Sequence, residues 1–134
     1  MKYILFLLLG FLLAFYFKDR VGGLYAYEPS TVNTVTYKPP TVGDVVAEIA
    51  YIFEPEGTAV VVRAINCFYS ESGLNPSAVH LNYNGTHDGG IAQINDIWKM
   101  SLDERFDYIA NIKKAHEIYL RSHSFNLWYG RGCK

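Results

Sequence analysis

The 134-residue chain carries 12 Lys+Arg against 13 Asp+Glu, is half hydrophobic and only 19% charged, a balance that excludes disorder throughout and leaves room for one domain. From Thr41 onward there are 8 basic and 11 acidic residues, a net −3 with no basic run. That sign excludes binding to a phosphate backbone, so no nucleic-acid partner is expected.

Residues 3–17 are 15 uncharged, almost wholly apolar residues, entered by Lys2 and left at Lys18-Asp19-Arg20. A spanning helix needs ~20 apolar residues, with a lower limit near ~17, whereas a secretory signal has a run of this length followed by a small-residue cleavage site. Such a site is poor here, since Ala26 follows Leu24-Tyr25 and no Ala-x-Ala is near. Tyr3, Tyr16 and the stem of Lys18 would extend the span by sitting at headgroup level. Segment 1–20 therefore reads as a transmembrane anchor or a cleaved signal, with the anchor favoured, and either delivers the remainder across a membrane. Residues 21–40 are rich in Gly, Ser, Thr, Pro and Tyr and end in Pro39-Pro40, which reads as a linker.

The domain proper is read over 41–134. Thr41 caps a helix over Val42–Phe53, whose apolar positions recur at three and four; Pro55 and Gly57 end it. Thr58 is the next cap, opening a helix over 59–70 that is apolar nearly all round and so predicted to lie at the domain centre. It stops at Glu71-Ser72-Gly73. Asn84-Gly85 is a strong hairpin signal, with a returning strand predicted over 90–94. Residues 96–100 read as a short turn or helix. Ser101-Leu-Asp-Glu104 is a capping box, predicted to open one long amphipathic helix to about Ser122. The class is α+β: mainly helical, with a small antiparallel hairpin and an apolar membrane helix in front.

Two cysteines in an exported chain favour a disulfide, and Cys67–Cys133 would tie the tail to the second helix. No Cys-x-x-Cys is present, and His80, His87, His116 and His123 lack ligand spacing with either cysteine, so neither metal nor cofactor is expected.

Two carboxylates stand out. Glu71 ends an apolar helix beside Cys67, Phe68 and Leu74; Asp88 sits in a Gly-rich hairpin beside Thr86 and His87. A pair in such contrasting environments suits acid and base roles in breaking a glycosidic bond, where one carboxylic acid protonates the leaving oxygen and the other stabilises an oxocarbenium-like centre.

The string Glu71-Ser-Gly-Leu-Asn-Pro-Ser-Ala-Val79, then Asn84-Gly-Thr-His-Asp-Gly-Gly-Ile-Ala-Gln-Ile-Asn95, resembles the lysozyme/lytic-transglycosylase superfamily signature. The resemblance runs from Ala64 to Trp98 and extends to Trp128 and Cys133. It implies a lysozyme-like fold, with Glu71 as general acid and Asp88 as the second carboxylate. It further implies Gln93 and Asn95 as residues that brace the hairpin and line a sugar cleft. Ser72 matches the Glu-Ser pair of transglycosylases, and Gly73, Gly89 and Gly90 would let backbone approach substrate. Trp98, Trp128 and Tyr129 are candidates for stacking on sugar rings, with core packing the alternative, the commoner one for the two Trp. Where animal-type members carry four disulfides, this chain can make one, which moves the resemblance toward bacterial and phage wall-degrading members.

The activity so implied is cleavage of the MurNAc-GlcNAc bond of peptidoglycan strands, leaning to lytic transglycosylation over hydrolysis through Asp88. The setting is a membrane-tethered enzyme outside the cytoplasm, in a secretion machine or a phage virion membrane. The competing reading is a catalytically silent wall-binding module of the same fold.

Overall fold

The computed structural model describes residues 37–134. The apolar run at 3–17, most of the linker and the membrane reading attached to them lie outside the described residues. Among the described residues no helix is long and apolar enough to cross a membrane.

Helix α1, Val42–Phe53, starts where the sequence says it should. Thr41 Oγ1 accepts the Asp44 N–H at 3.2 Å and Asp44 Oδ2 accepts the Thr41 N–H at 2.8 Å, so two otherwise orphaned donors are satisfied reciprocally. Its buried stripe is Val45, Ile49 and Phe53. A 3-10 turn, Glu54–Glu56, and Gly57 at φ +91° then lead into α2, Thr58–Ser72. Gly57, not Thr58, occupies the cap, because its carbonyl accepts the N–H groups of Val60 and Val61. Glu71 and Ser72 are consequently inside the last turn, which Gly73 closes in the left-handed conformation with its N–H on Tyr69 O at 2.9 Å.

The helix α2, predicted from its apolar composition to lie at the domain centre, buries one face only. Ala64, Cys67 and Phe68 face the core, while Val62, Arg63, Asn66 and Tyr69 face solvent. Apolar composition overstates burial here, since single exposed apolar side chains are ordinary in folded proteins.

The sheet also differs from the predicted hairpin. It has three antiparallel strands in the order β1 (Val79–Leu81), β2 (His87–Gly89), β3 (Ile94–Asn95). His80 pairs with Asp88, and Asp88 with Asn95. Asn82 N donates to Thr86 O at 2.8 Å across a loop in which Gly85 takes φ +81°, the loop length that accommodates a left-handed residue. Residues 90–93 form a turn rather than a strand. Gly90 (φ +76°) and Gln93 (φ +48°) bend the chain so that Ile91 and Ala92, consecutive residues, are both fully buried. A strand, alternating between two faces, could not bury both on one side.

After a 3-10 turn at Asp96–Trp98, the capping box at Ser101 and Glu104 forms, but the helix it opens is short. Helix α3 is Leu102–Phe106. Asp107 (ψ 115°) breaks it and caps a second helix, α4, Tyr108–Ser122, by accepting the Ala110 N–H at 2.8 Å. The break frees Arg105 O, which accepts from the buried Asn111 side chain at 2.9 Å. One predicted helix is thus two, separated by a residue type that favours caps over helix interiors.

Residues from Lys38 to Lys134 form one compact unit. Its core is aromatic: Phe53, Phe68, Tyr119, Phe125 and Trp128 meet ring to ring, with Tyr119 and Phe125 centroids 4.9 Å apart and Phe125 and Trp128 5.7 Å. Helices α1, α2 and α4 surround it, and the small sheet stands to one side. The α+β class holds.

Candidate active site

A cleft of about 590 Å³ separates the sheet from the C-terminal tail, and both Glu71 and Asp88 line it. The volume lies within the ~300–1,000 Å³ usual for small-molecule sites. Glu71 arrives from the last turn of α2, whose position is set by Phe68 and Cys67 in the core. Asp88 arrives from the middle strand, where the alternation of β2 turns it away from the buried Gly89 neighbour.

Asp88 is held by amides. Oδ2 accepts from Asn82 Nδ2 at 3.0 Å and Oδ1 from Asn95 Nδ2 at 2.5 Å. The same two amides reach Thr86 Oγ1, at 3.2 and 2.9 Å, and Thr86 in turn donates to Asn84 Oδ1 at 2.8 Å. Both carboxylate oxygens thus accept from side-chain amides. Glu71 has a different surrounding. Its Oε1 accepts the main-chain N–H of Gly130 at 2.6 Å, and the Cys133 sulfur lies 3.7 Å away. Neither carboxylate joins an ion pair among the described residues.

The other candidate residues divide. Gln93, Asn95, Trp98, Trp128 and Tyr129 line the cleft. Gln93 braces the turn, its Nε2 donating to Gly90 O at 2.9 Å and Ala78 O at 3.1 Å. Asn95 also caps the following turn, its Oδ1 accepting the Ile97 N–H at 3.1 Å. Tyr129 is 87% exposed, free to meet a ligand. Trp128 is a core residue with its indole N–H on Ala92 O at 2.7 Å. Trp98 is half-buried beneath the Arg121 guanidinium, 5.5 Å from the ring centroid.

Ser72 is not on the cleft wall. Its hydroxyl donates to Ile91 O at 2.6 Å and so clips the end of α2 to the buried turn. The glycines also have other duties. A Cβ on Gly89 would meet the Arg105 side chain at 2.6 Å, and one on Gly90 would lie 2.3 Å from Arg105 O. These two glycines allow α3 and Asn111 to sit against the sheet, and Gly73 ends a helix.

Sequence reasoning passed over Asn82, Tyr83, Ile97, Leu127 and Gly130. The loop tyrosine, Tyr83, is fully exposed at the cleft, and Ile97 and Leu127 are more than half exposed there. Asn111 was also missed. Fully buried, it accepts the Ala92 N–H at 2.8 Å and donates to Gly89 O at 3.0 Å and Arg105 O at 2.9 Å. Only its place at the start of the buried stripe of α4, one residue before Ile112, marked it in the sequence.

Cys67 and Cys133 are bonded to one another, with Cα atoms 4.2 Å apart. Their sulfurs and a Glu71 oxygen fall within 4.8 Å of each other, but disulfide sulfurs are not thiolates, so this trio is not a metal-ligand set.

No protein-family model matches the chain, and no curated protein matches it in sequence.

Proposed function

We propose that this domain is a muramidase, cleaving the MurNAc-GlcNAc β-1,4 bond of peptidoglycan strands with Glu71 as general acid/base. The observation that carries the reading is that Glu71 and Asp88, from a helix end and a strand, line one cleft. Glycosidic cleavage needs a proton donor on one side of the bond and negative charge beneath the developing cation. The rest of the cleft has matching chemistry: the exposed rings of Tyr83 and Tyr129 offer apolar faces to pyranose rings, and side-chain amides offer donors and acceptors to hydroxyl and N-acetyl groups.

In the proposed sequence Glu71 protonates the leaving oxygen as the C1–O bond breaks. Asp88 supports the positive charge at C1, and water, deprotonated by Glu71, then adds there. The motif fits both branches, and the anchor and linker read from the sequence lean to lytic transglycosylation, in which the substrate's own 6-hydroxyl closes the ring. The two amides that fix Asp88 at 3.0 and 2.5 Å favour hydrolysis instead, because they hold a second carboxylate that transglycosylation does not require. We read the domain as tethered to a membrane through residues 3–17 and acting outside the cytoplasm, in a secretion machine or a phage virion membrane.

The deciding experiment incubates the full chain and its Glu71→Gln variant with purified peptidoglycan and analyses the soluble fragments by mass spectrometry. Reducing muropeptides, lowered about a hundredfold or more in the variant, are expected. Anhydro-muropeptides would replace hydrolysis by transglycosylation. No release by folded wild-type protein would leave the silent wall-binding module as the reading.

A further inference from the structure

Glu71 belongs to α2, yet the group that holds its carboxyl comes from the far end of the chain. The tail lies against that helix through a short set of contacts. Gly130 N donates to Glu71 Oε1 at 2.6 Å, Gly132 N to Ser70 Oγ at 3.2 Å, and Ser70 Oγ to Cys67 O at 2.8 Å. A Cβ on Gly130 would lie 2.2 Å from Ser70 Oγ, and one on Gly132 2.2 Å from Asn66 O. Both glycines therefore let backbone meet helix without intervening side chains. The tail's own turn, Arg131–Cys133, is closed by Cys133 N on Gly130 O at 3.0 Å. The covalent tie in this set is Cys67–Cys133, one helical turn before Glu71.

We propose that the Gly130 N–H is a positioning group for Glu71 and that the Cys67–Cys133 disulfide is the clamp that keeps it there, so that turnover requires the oxidised bond. The inference depends on Glu71 being the acid. With Oε1 committed to Gly130, Oε2 is the oxygen left to carry and deliver the proton. Reduction by dithiothreitol, which is oxidised to its cyclic disulfide, leaves Cys67 and Cys133 as thiols. The tail then loses its covalent tie, and Glu71 regains side-chain freedom at the moment when orientation matters most.

The test measures kcat and KM of the full chain on soluble peptidoglycan glycan strands in three forms: oxidised, dithiothreitol-reduced, and carrying glycolate in place of glycine at position 130. The glycolate exchanges the N–H for an ester oxygen and keeps the disulfide. Both altered forms are expected to lose kcat about ten- to hundredfold with KM changed less than about twofold, while the glycolate form keeps the wild-type melting midpoint within a few degrees. Wild-type kcat in the glycolate form overturns the proposal, whatever reduction does to the fold. An inactive oxidised wild type overturns the muramidase reading and this proposal together, and is distinguishable from the first result.

Discussion

Asp88 and Asn95 face each other across the β2–β3 ladder, and the Asn95 amide donates to Asp88 Oδ1 at 2.5 Å. The register of two very short strands thus sets the direction of a carboxylate. Replacing Asn95 by Ala removes that donor and frees the Ile97 N–H. A loss of kcat of about tenfold is expected together with about 1 kcal/mol of stability. Asp88→Asn should cost more turnover, about a hundredfold, with little change in KM. Steady-state assays on glycan strands separate the two, and full activity of Asp88→Asn would remove Asp88 from the chemistry.

Tyr83 and Tyr129 are exposed aromatic residues of the cleft, and neither ring is needed by the core. Substitution of either by Ala is expected to raise KM on glycan strands about three- to tenfold, the worth of about 0.5–1.5 kcal/mol of ring contact, and to leave the melting midpoint unchanged. Titration of the Glu71→Gln form with glycan fragments gives the same comparison without turnover. Unaltered binding in both variants would place the substrate elsewhere.

Asn111 serves three backbone groups at once, and Gly90 lies directly against it, with a Cβ at that glycine falling 2.4 Å from Asn111 Nδ2. Asn111→Leu strands these groups in the interior and is expected to cost about 3 kcal/mol or more. Gly90→Ala combines a φ of +76° with a clash against backbone, whereas Gly85→Ala at φ +81° meets nothing within 4 Å. The first should destabilise by about 2 kcal/mol or more and the second by about 1. Urea denaturation of the pair checks the order; equal losses would mean that strain in φ dominates and the contact is soft.

Asp96 receives the His87 N–H at 2.6 Å and pairs with Arg105, and these hydrogen bonds, the His87 main-chain one foremost, hold its carboxyl below the usual value. A folded pKa below the unfolded ~3.9 means stability that is fully present above about pH 5 and lost as pH falls through the folded value. Asp44, lowered chiefly by the Thr41 N–H, and Glu104, lowered chiefly by the Ser101 hydroxyl, act in the same direction. The melting midpoint should therefore fall below about pH 4, and Asp96→Asn should make that fall shallower. An acid limb identical in the variant would show that the loss comes from other carboxyl groups.

Local signals were legible wherever the chain makes its own decision. Thr41, read as a cap, and Ser101 with Glu104, read as a capping box, both start helices in the structure, where Thr41 is joined reciprocally by Asp44, because each cap is satisfied within one turn. Asn84-Gly85 marked the loop for the same reason. Errors arose where a distant partner decides. Asp107 interrupts a good amphipathic pattern because the carbonyl it frees is taken by Asn111, and Asn111 is in turn fixed by Gly89 and Ala92. Residues 90–93 look like a strand by composition, yet two consecutive side chains must both enter the core.

For the site, the sequence by itself determined the residue types: two carboxylates in contrasting settings, an amide-rich hairpin and one pair of cysteines. Only the tertiary structure decided their company. It brought Glu71 and Asp88 to one cleft, assigned Asn82 and Asn95 to Asp88 and Gly130 to Glu71, and turned Ser72 inward to Ile91. The physical reason is range. Caps and turns are settled by hydrogen bonds over three or four residues, while the donor to Glu71 lies 59 positions away and is set by how helix, sheet and tail pack.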